Sequence, residues 1–334
     1  MLLTFLYDNW GKFFGQEIPR DISLLPLSSC KEEYGNNLVL IFVNKEEEPS
    51  FVLKISKNCN FNLKLEQEFA SLSFLSNTNN IGGLIPIPFF SDVVNGKFFF
   101  IQKAIAGKSL WKIIKNTGFT SRTDTLIKKS IEALIHINLS VPDSNNLKGP
   151  PLLGKDYILK DNEVAQILIN AGINNQDLSK LISSQEMVLQ ESNRKYFQHG
   201  DYWPTNIFCR KNNVAGVIDW EFASVKDYST DIIWFVSNLA YCISQRHRAN
   251  ITLSEAIVSG LYCNDGPNHI FLKKYLDIYR VNFEYSKNTF ECLFHLCFVE
   301  ILLRNFLFNG SSEVSHDFLN LLRYALNNKS IICI

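Results

Sequence analysis

One stretch of the chain gathers the groups that phosphate chemistry requires. It reads Q-H-G-D-Y-W-P-T-N over residues 198–206 and, after an apolar run, I-D-W-E over residues 218–221. Phosphoryl transfer needs little covalent help from a protein. It needs a carboxylate to orient the attacking hydroxyl and oxygen ligands to hold Mg2+ on the phosphates. Asp201 suits the first task, and Asn206 and Asp219 suit the second.

The local pattern explains how residues so far apart in sequence meet. I-F-C-R (207–210) and V-A-G-V-I (214–218) are short strand-like runs around Asn212-Asn213, a pair that tolerates the positive φ of a tight turn. With that pair as the turn, Lys211 faces Val214 and Asn206 faces Asp219. Opposed side chains share a face with Cβ atoms roughly 5 Å apart, so an amide oxygen and a carboxylate placed there share one hard cation. Asp201 precedes Asn206 by the D-x-x-x-x-N spacing of the kinase catalytic loop. Singly, each residue has an ordinary explanation: a solvated turn, a strand-end cap, a buried carboxylate held by backbone donors. The HGD triplet, the spacing and the apolar strand ending in I-D-W-E are better explained together.

These groups need a frame. The first hundred residues read as strand-rich. L-V-L-I-F-V (38–43) and F-V-L-K-I (51–55) flank a polar turn and predict a hairpin. A helix follows from about Asn62 to Leu75, with Leu65, Phe69, Leu72 and Leu75 on one face. I-G-G-L-I-P-I-P-F-F is a Gly/Pro-punctuated connection, and K-F-F-F-I-Q-K-A-I (97–105) is another strand, ended by Gly107. Ser121 is placed to cap a helix carrying Leu126, Ile131, Leu134 and Ile135. Residues 140–160 are loop-like, and beyond Thr230 the pattern is helical. A hinge is therefore expected near Gln102–Gly107, between a small β-rich lobe and a larger helical one.

Composition narrows the function classes. Lys plus Arg equals Asp plus Glu at 33 each, so nothing global favours a nucleic-acid or membrane partner. The eight cysteines form no C-x-x-C pair and no zinc-ligand spacing, which suits a reduced, cytoplasmic protein. The amino terminus lacks the basic start and unbroken apolar run of a signal peptide. The most apolar stretch, 289–308, contains Glu291, His295, Glu300 and Arg304 and reads as a buried helix, not a membrane span.

The motif H199-G-D201-x4-N206 followed by I218-D219-W220-E221 resembles the aminoglycoside phosphotransferase/choline kinase-like family of small-molecule kinases. The resemblance covers most of residues 38–240. It implies an α+β, two-lobed protein-kinase-like fold: a nucleotide-binding lobe over 1–102, a hinge over 103–107 and a catalytic, acceptor-binding lobe over 108–334. It implies Mg2+ and ATP as cofactors and a small-molecule hydroxyl as acceptor. Lys54 in F-V-L-K-I is similar to the strand lysine that contacts the phosphates, and Glu68 to its helix partner. Backbone groups near Lys103 and Ile105 would meet adenine. Asp231 in Y-S-T-D-I-I-W matches an Asp that the family places at a helix start, and A-L-I-H (133–136) resembles the family's helix ending in Leu-x-His.

Alternatives stay open at several positions. Glu68 has a solvated partner in Lys64 at i,i+4, and Glu66 is its rival for Lys54. His136 and His199 suit bracing roles. Trp203, Trp220 and Trp234 suit either stacking on an acceptor or core packing. The stretch Ser28–Asn37, where a phosphate loop belongs, has one glycine. Acidic and basic residues nearly balance from residue 240 on, so no acidic pocket for a polycation is evident. The range of acceptors is a sugar, amino sugar, amino alcohol or aminoglycoside-like molecule. The competing expectation is a catalytically inactive nucleotide-binding or scaffold protein of the same fold.

Overall fold

The computed structural model describes residues 2–332 except 16, 29–35, 78–80, 82, 141–158, 193, 248–249, 264–268 and 310–312. Residues 29–35 of the candidate phosphate loop and most of the 140–160 loop lie outside the described residues.

Helix α1 (Leu2–Phe14) opens the chain. Strands β1 (Ile22–Ser28), β2 (Asn36–Val43) and β3 (Phe51–Ser56) follow, then helix α2 (Asn62–Ser76) and strands β4 (Pro88–Val94) and β5 (Lys97–Lys103). The strands form one antiparallel sheet in the order β1-β2-β3-β5-β4. The predicted hairpin is β2–β3, with Leu38 opposite Lys54. β5 lies inside the sheet and is buried at every position between its terminal lysines, so it reads as an unbroken apolar run.

Alternation along β5 decides what faces the cleft. Phe99 and Ile101 pack against Leu6, Trp10, Phe13 and Phe14 of α1 on the outer face. Phe98 and Phe100 join Leu65, Leu72 and Leu75 of α2 in the inner core. Gln102 therefore follows on the inner face and Lys103 on the outer.

Two elements depart from the sequence expectation. α1 sits in a region read as strand-rich, yet Leu6, Trp10, Phe13 and Phe14 are all buried. Removing each from water is worth roughly 1.5–3 kcal/mol, which ties the helix to the sheet. β4 begins at Pro88, inside the segment read as a connection. It pairs only with β5 in the sheet order, and an edge strand tolerates proline at its first residue.

The rest of the chain is mainly helical. A short strand β6 (Lys108–Ser109) leads into α3 (Leu110–Thr117) and α4 (Ser121–Leu139). Then come α5 (Asn162–Asn170), α6 (Asn175–Glu191), β7 (Tyr196–Gln198), β8 (Ile207–Arg210), β9 (Asn213–Val217) and β10 (Ser224–Lys226). The chain continues as α7 (Asp231–His247), α8 (Leu253–Leu261), α9 (His269–Asn282), α10 (Lys287–Asn309) and α11 (Glu313–Asn327). Thr120, not Ser121, caps α4: its side chain accepts from the Thr123 N–H while Thr123 Oγ1 accepts from the Thr120 N–H. The apolar 289–308 stretch lies in α10, a buried helix as expected. No helix among the described residues is long and apolar enough to cross a membrane.

Candidate active site

The cleft between sheet and helices holds a cavity of about 600 Å³. Leu38, Leu40, Val52 and Lys54 line it from the sheet, Phe208, Ile218 and Asp219 from the larger lobe, and Gln102, Ala104, Ile105, Ala106 and Gly107 from the connection between them. Lys103 does not line it. Its N–H donates to Ile87 O at 2.8 Å, and its side chain borders a separate hollow with Trp10, as its outer-face position requires. The Ala104 N–H is likewise committed, to Ser50 O at 3.0 Å. Gly107 has φ +120°, and a Cβ there would lie 2.4 Å from Cys209 O, so only glycine lets the connection pass this close to β8.

Lys54 is the hub of the sheet side. Its ammonium donates to both carboxylate oxygens of Glu68 at 2.7 Å and to Asp219 Oδ1 at 2.8 Å. Burial opposes the charge, but Asp219 and Glu68 outweigh it and hold the ammonium above its ordinary range. Glu66 is exposed, and Lys64 turns instead to Glu221 at 3.5 Å, so Glu68 is the partner on geometry.

The loop after β7 holds Asp201. Gly200 has φ +83°, and a Cβ there would sit 2.4 Å from Phe222 O, which explains the glycine of the HGD triplet. Asp231, at the start of α7, anchors this loop: Oδ2 accepts from the His199 N–H and Oδ1 from the Gly200 N–H, both at 2.8 Å. The His199 ring bridges to the other loop. Nε2 lies 3.0 Å from Ile218 O, a pure acceptor, so Nε2 carries the proton and Nδ1 accepts from the Asp201 N–H at 3.1 Å. Burial lowers this ring to about 4, with the Ile218 carbonyl opposing, so it is neutral at pH 7 and braces the loop. His136 is exposed on α4.

Asp201 itself is held at both oxygens. Trp234 Nε1 donates to Oδ1 at 2.9 Å and Asn206 Nδ2 to Oδ2 at 3.1 Å. Asp201 is half-buried. The burial around it, followed by the Asp219 charge, pushes its carboxyl up to about 7, while the Trp234 hydrogen bond and Arg304 oppose. Asp219 goes the other way: burial raises it, but Lys54 outweighs burial and the carboxyl is lowered. Two neighbouring carboxyls with diverging affinities for the proton are the pattern of divided roles.

The hairpin brings Asn206 and Asp219 into the site by a route different from the expected one. The turn is Lys211-Asn212, Lys211 has φ +55°, and the register shifts between Phe208 and Cys209. Ile218, not Asp219, then stands opposite Asn206, its N–H donating to Asn206 O at 2.9 Å. Asp219 reaches the cleft through its own φ of +72°, a conformation that Asp adopts more readily than most residues. With the Asn206 amide nitrogen on Asp201, its oxygen is the atom left to a ligand. An amide oxygen and a carboxylate are donor types that could hold Mg2+ together with water and phosphate.

Trp220 is core: fully buried, with Nε1 donating to Val217 O at 2.8 Å. Arg304 of α10 escaped the sequence reading. It donates to the Gly200 carbonyl, stacks 4.8 Å above the Phe222 ring and approaches Glu300 at 3.7 Å.

A two-lobed α+β fold with these carboxylates and lysine in its cleft defines a kinase-like phosphotransferase scaffold. The chain belongs to the phosphotransferase enzyme family APH, whose model matches residues 37–257. Among solved structures it is similar to a streptomycin–ATP ternary complex of APH(2")-IIa, at 17% identity and TM-score 0.52, covering 98% of this chain and 97% of that one. ADP-bound aminoglycoside phosphotransferase APH(2'')-Ib matches at 17% identity and TM-score 0.54, covering 98% of both chains. The macrolide 2'-phosphotransferase MphH from Brachybacterium faecium matches at 12% identity and TM-score 0.54, covering 96% and 97%. At these identities the likeness is one of fold. No curated protein matches the chain.

Proposed function

We propose that the protein binds Mg·ATP in the interlobe cleft and transfers the γ-phosphoryl group to a hydroxyl of a small molecule. The observation that carries this is the paired environment of the two aspartates. Asp201 is fixed at both oxygens with its proton affinity raised, and Asp219 is held ionised against Lys54. In this reading Asp201 takes the acceptor's proton, Asn206 and Asp219 hold Mg2+, and Lys54, set by Glu68, steadies the phosphates. Bound Mg2+ would neutralise charge developing on the phosphates.

Residues 1–102 then form the nucleotide lobe, 103–107 the hinge and 108–334 the catalytic and acceptor lobe. The N–H groups of Lys103 and Ala104 are already bonded within the lobe, which leaves Ile105 and the residues after it to supply the hinge donor for adenine. The family and the fold of aminoglycoside and macrolide phosphotransferases support a hydroxylated small-molecule acceptor: a sugar, amino sugar, amino alcohol or aminoglycoside-like compound.

The test is transfer of label from γ-labelled ATP into a small-metabolite extract, with Asp201→Asn in parallel. The substitution is expected to lower turnover by about 10²–10⁴-fold, the usual worth of a positioned general base, and to leave ATP affinity near its original value. Near-normal turnover in the variant would show that Asp201 is not the base.

A further inference from the structure

A hollow of about 270 Å³ shares Gly107 with the cleft cavity but none of the side chains assigned to phosphoryl transfer. Lys108 of β6, Arg122 of α4, Arg210 of β8 and Lys211 of the turn after it line this hollow, and no acidic side chain does so among the described residues. The whole chain is balanced at 33 basic and 33 acidic residues, so the excess here is local. The four cations come from separate stretches of sequence, and all are exposed. Two of them are placed by specific contacts. Arg122 Nη2 donates to Lys211 O at 3.0 Å, which ties the start of α4 to the turn. Arg210 approaches Glu48 at 3.5 Å, with side chains 62% and 51% exposed. An ion pair so open to water is weak, so Glu48 is a partner that another anion can displace.

We propose that this hollow is an anion site, separate from the cleft, that takes a compact polyphosphate: two or more linked phosphoryl groups without a base or sugar. Like charges gathered around a concave surface repel one another and focus a positive potential into it. An anion of several charges relieves that repulsion at all four side chains together, which a single carboxylate cannot do. The two guanidinium forks match pairs of phosphate oxygens, and the two ammonium groups add point charges beside them. The remaining lining consists of Gly107, Ile113, Asn116, Thr117 and Cys209. None of these is aromatic, so the hollow offers a nucleotide base no ring to stack on, and the charged groups are all it has to recognise.

The experiment is calorimetric titration of inorganic pyrophosphate into the full chain, free of Mg2+ and in 0.15 M KCl, where the Debye length of about 8 Å screens distant charges. The unaltered protein should bind with a dissociation constant of about 1 mM or tighter. The double variant Arg122→Gln, Lys211→Gln should bind at least about tenfold more weakly. Lys108→Gln, on a separate segment, should weaken binding in the same direction and decides the matter if the double variant folds poorly. A control, Lys45→Gln with Lys329→Gln, removes the same net charge from exposed positions elsewhere and should leave the affinity unchanged. Urea midpoints should be the same in all variants, since each substitution is at an exposed side chain. No binding to the unaltered protein overturns the proposal. Binding that survives in the double variant and in Lys108→Gln overturns it as well, because the anion then sits elsewhere, the cleft included. An equal loss in the control variant shows that net charge and not the hollow attracts the anion, and overturns it too. None of these outcomes depends on transfer activity, so the phosphotransferase reading stands or falls separately.

Discussion

Lys54 and Lys226 are both buried lysines gripped by a glutamate, and they serve opposite ends. Lys54 sits on the cleft wall. Its three donors go to Glu68 and to Asp219, and Asp219 keeps 40% of its side chain open to the cavity. Lys226 lies beneath the Asp201 loop. Lys226 and Glu300 are 1% and 3% exposed, 2.8 Å apart, and the remaining capacity of Glu300 is filled by Gln198 Nε2 and Thr230 Oγ1, each at 3.1 Å. Burial alone would raise Glu300, but Lys226 and then Arg304 outweigh it, and the carboxylate is lowered. The Glu300 carboxylate of the sealed cluster has both oxygens bonded and, among the described residues, almost no surface open to a ligand. The cleft cluster has one partner that a metal or phosphate can compete for. In the proposed reading the difference gives fixing of the loop to one cluster and response to ligand to the other.

The sharpest way to break this contrast is to remove one charge from each. Glu300→Gln keeps shape and deletes charge, stranding Lys226 and Arg304. Breaking a sealed pair on one side is expected to destabilise by about 3–5 kcal/mol in urea unfolding. Glu68→Gln leaves Lys54 on Asp219, so the loss should be smaller, about 1–3 kcal/mol, while turnover suffers out of proportion to stability. Equal stability losses in the two variants would erase the distinction.

A second difference concerns protons. His295, in α10 of the sealed lobe, has Nδ1 2.9 Å from Ser184 Oγ and Nε2 3.2 Å from Ala325 O. Burial lowers it to about 4, the Ala325 carbonyl opposing, and His199 at the cleft is lowered to the same value. Both stay neutral when folded and take up a proton near the ordinary value when unfolded. At these two rings the unfolded state therefore binds more protons between about pH 6.5 and 4, and their contribution to stability falls as pH drops through that window, by up to about 3 kcal/mol for each ring, while the raised carboxyl of Asp201 contributes in the opposite direction. In His295→Gln the unfolding free energy should lose about half of this pH dependence. An unchanged pH slope would mean that His295 titrates normally when folded.

The sequence made the short-range chemistry legible. The spacing of Asp201 and Asn206, the HGD glycine and the β2–β3 hairpin follow from local rules. It misplaced the turn because the bulge in β8–β9 and the left-handed Asp219 depend on packing that pattern cannot show. The same holds for the groups that hold the loop. Trp234 Nε1 meets Asp201 across 33 residues and Arg304 meets Gly200 across 104, and only the docking of α7 and α10 makes them neighbours. Lys103 shows the reverse case. Strand alternation read from Lys54 and Phe100 already assigns its side chain to the outer face, so the side chain's absence from the cleft was available in the sequence. The helical spacing of Leu6, Trp10 and Phe13 in α1 was available too.

The smallest predicted effect separates geometry from burial as the source of an ion pair's worth. Lys64 and Glu221 meet at the cleft mouth, 3.5 Å apart, with side chains 24% and 17% exposed, and the ammonium also lies 4.9 Å from the Phe222 ring. Like the other two clusters this is a lysine against a carboxylate, at a longer 3.5 Å against 2.7–2.8 Å. Water still reaches both groups, so attraction is screened and the ordering of two long side chains works against it. Lys64→Ala is expected to change unfolding free energy by less than about 1 kcal/mol, and 1 M salt, with a Debye length of about 3 Å, should remove most of that. A salt-insensitive loss approaching that of Glu300→Gln would show that the cleft mouth is as sealed as the interior, and that ligand access cannot distinguish the two lysines.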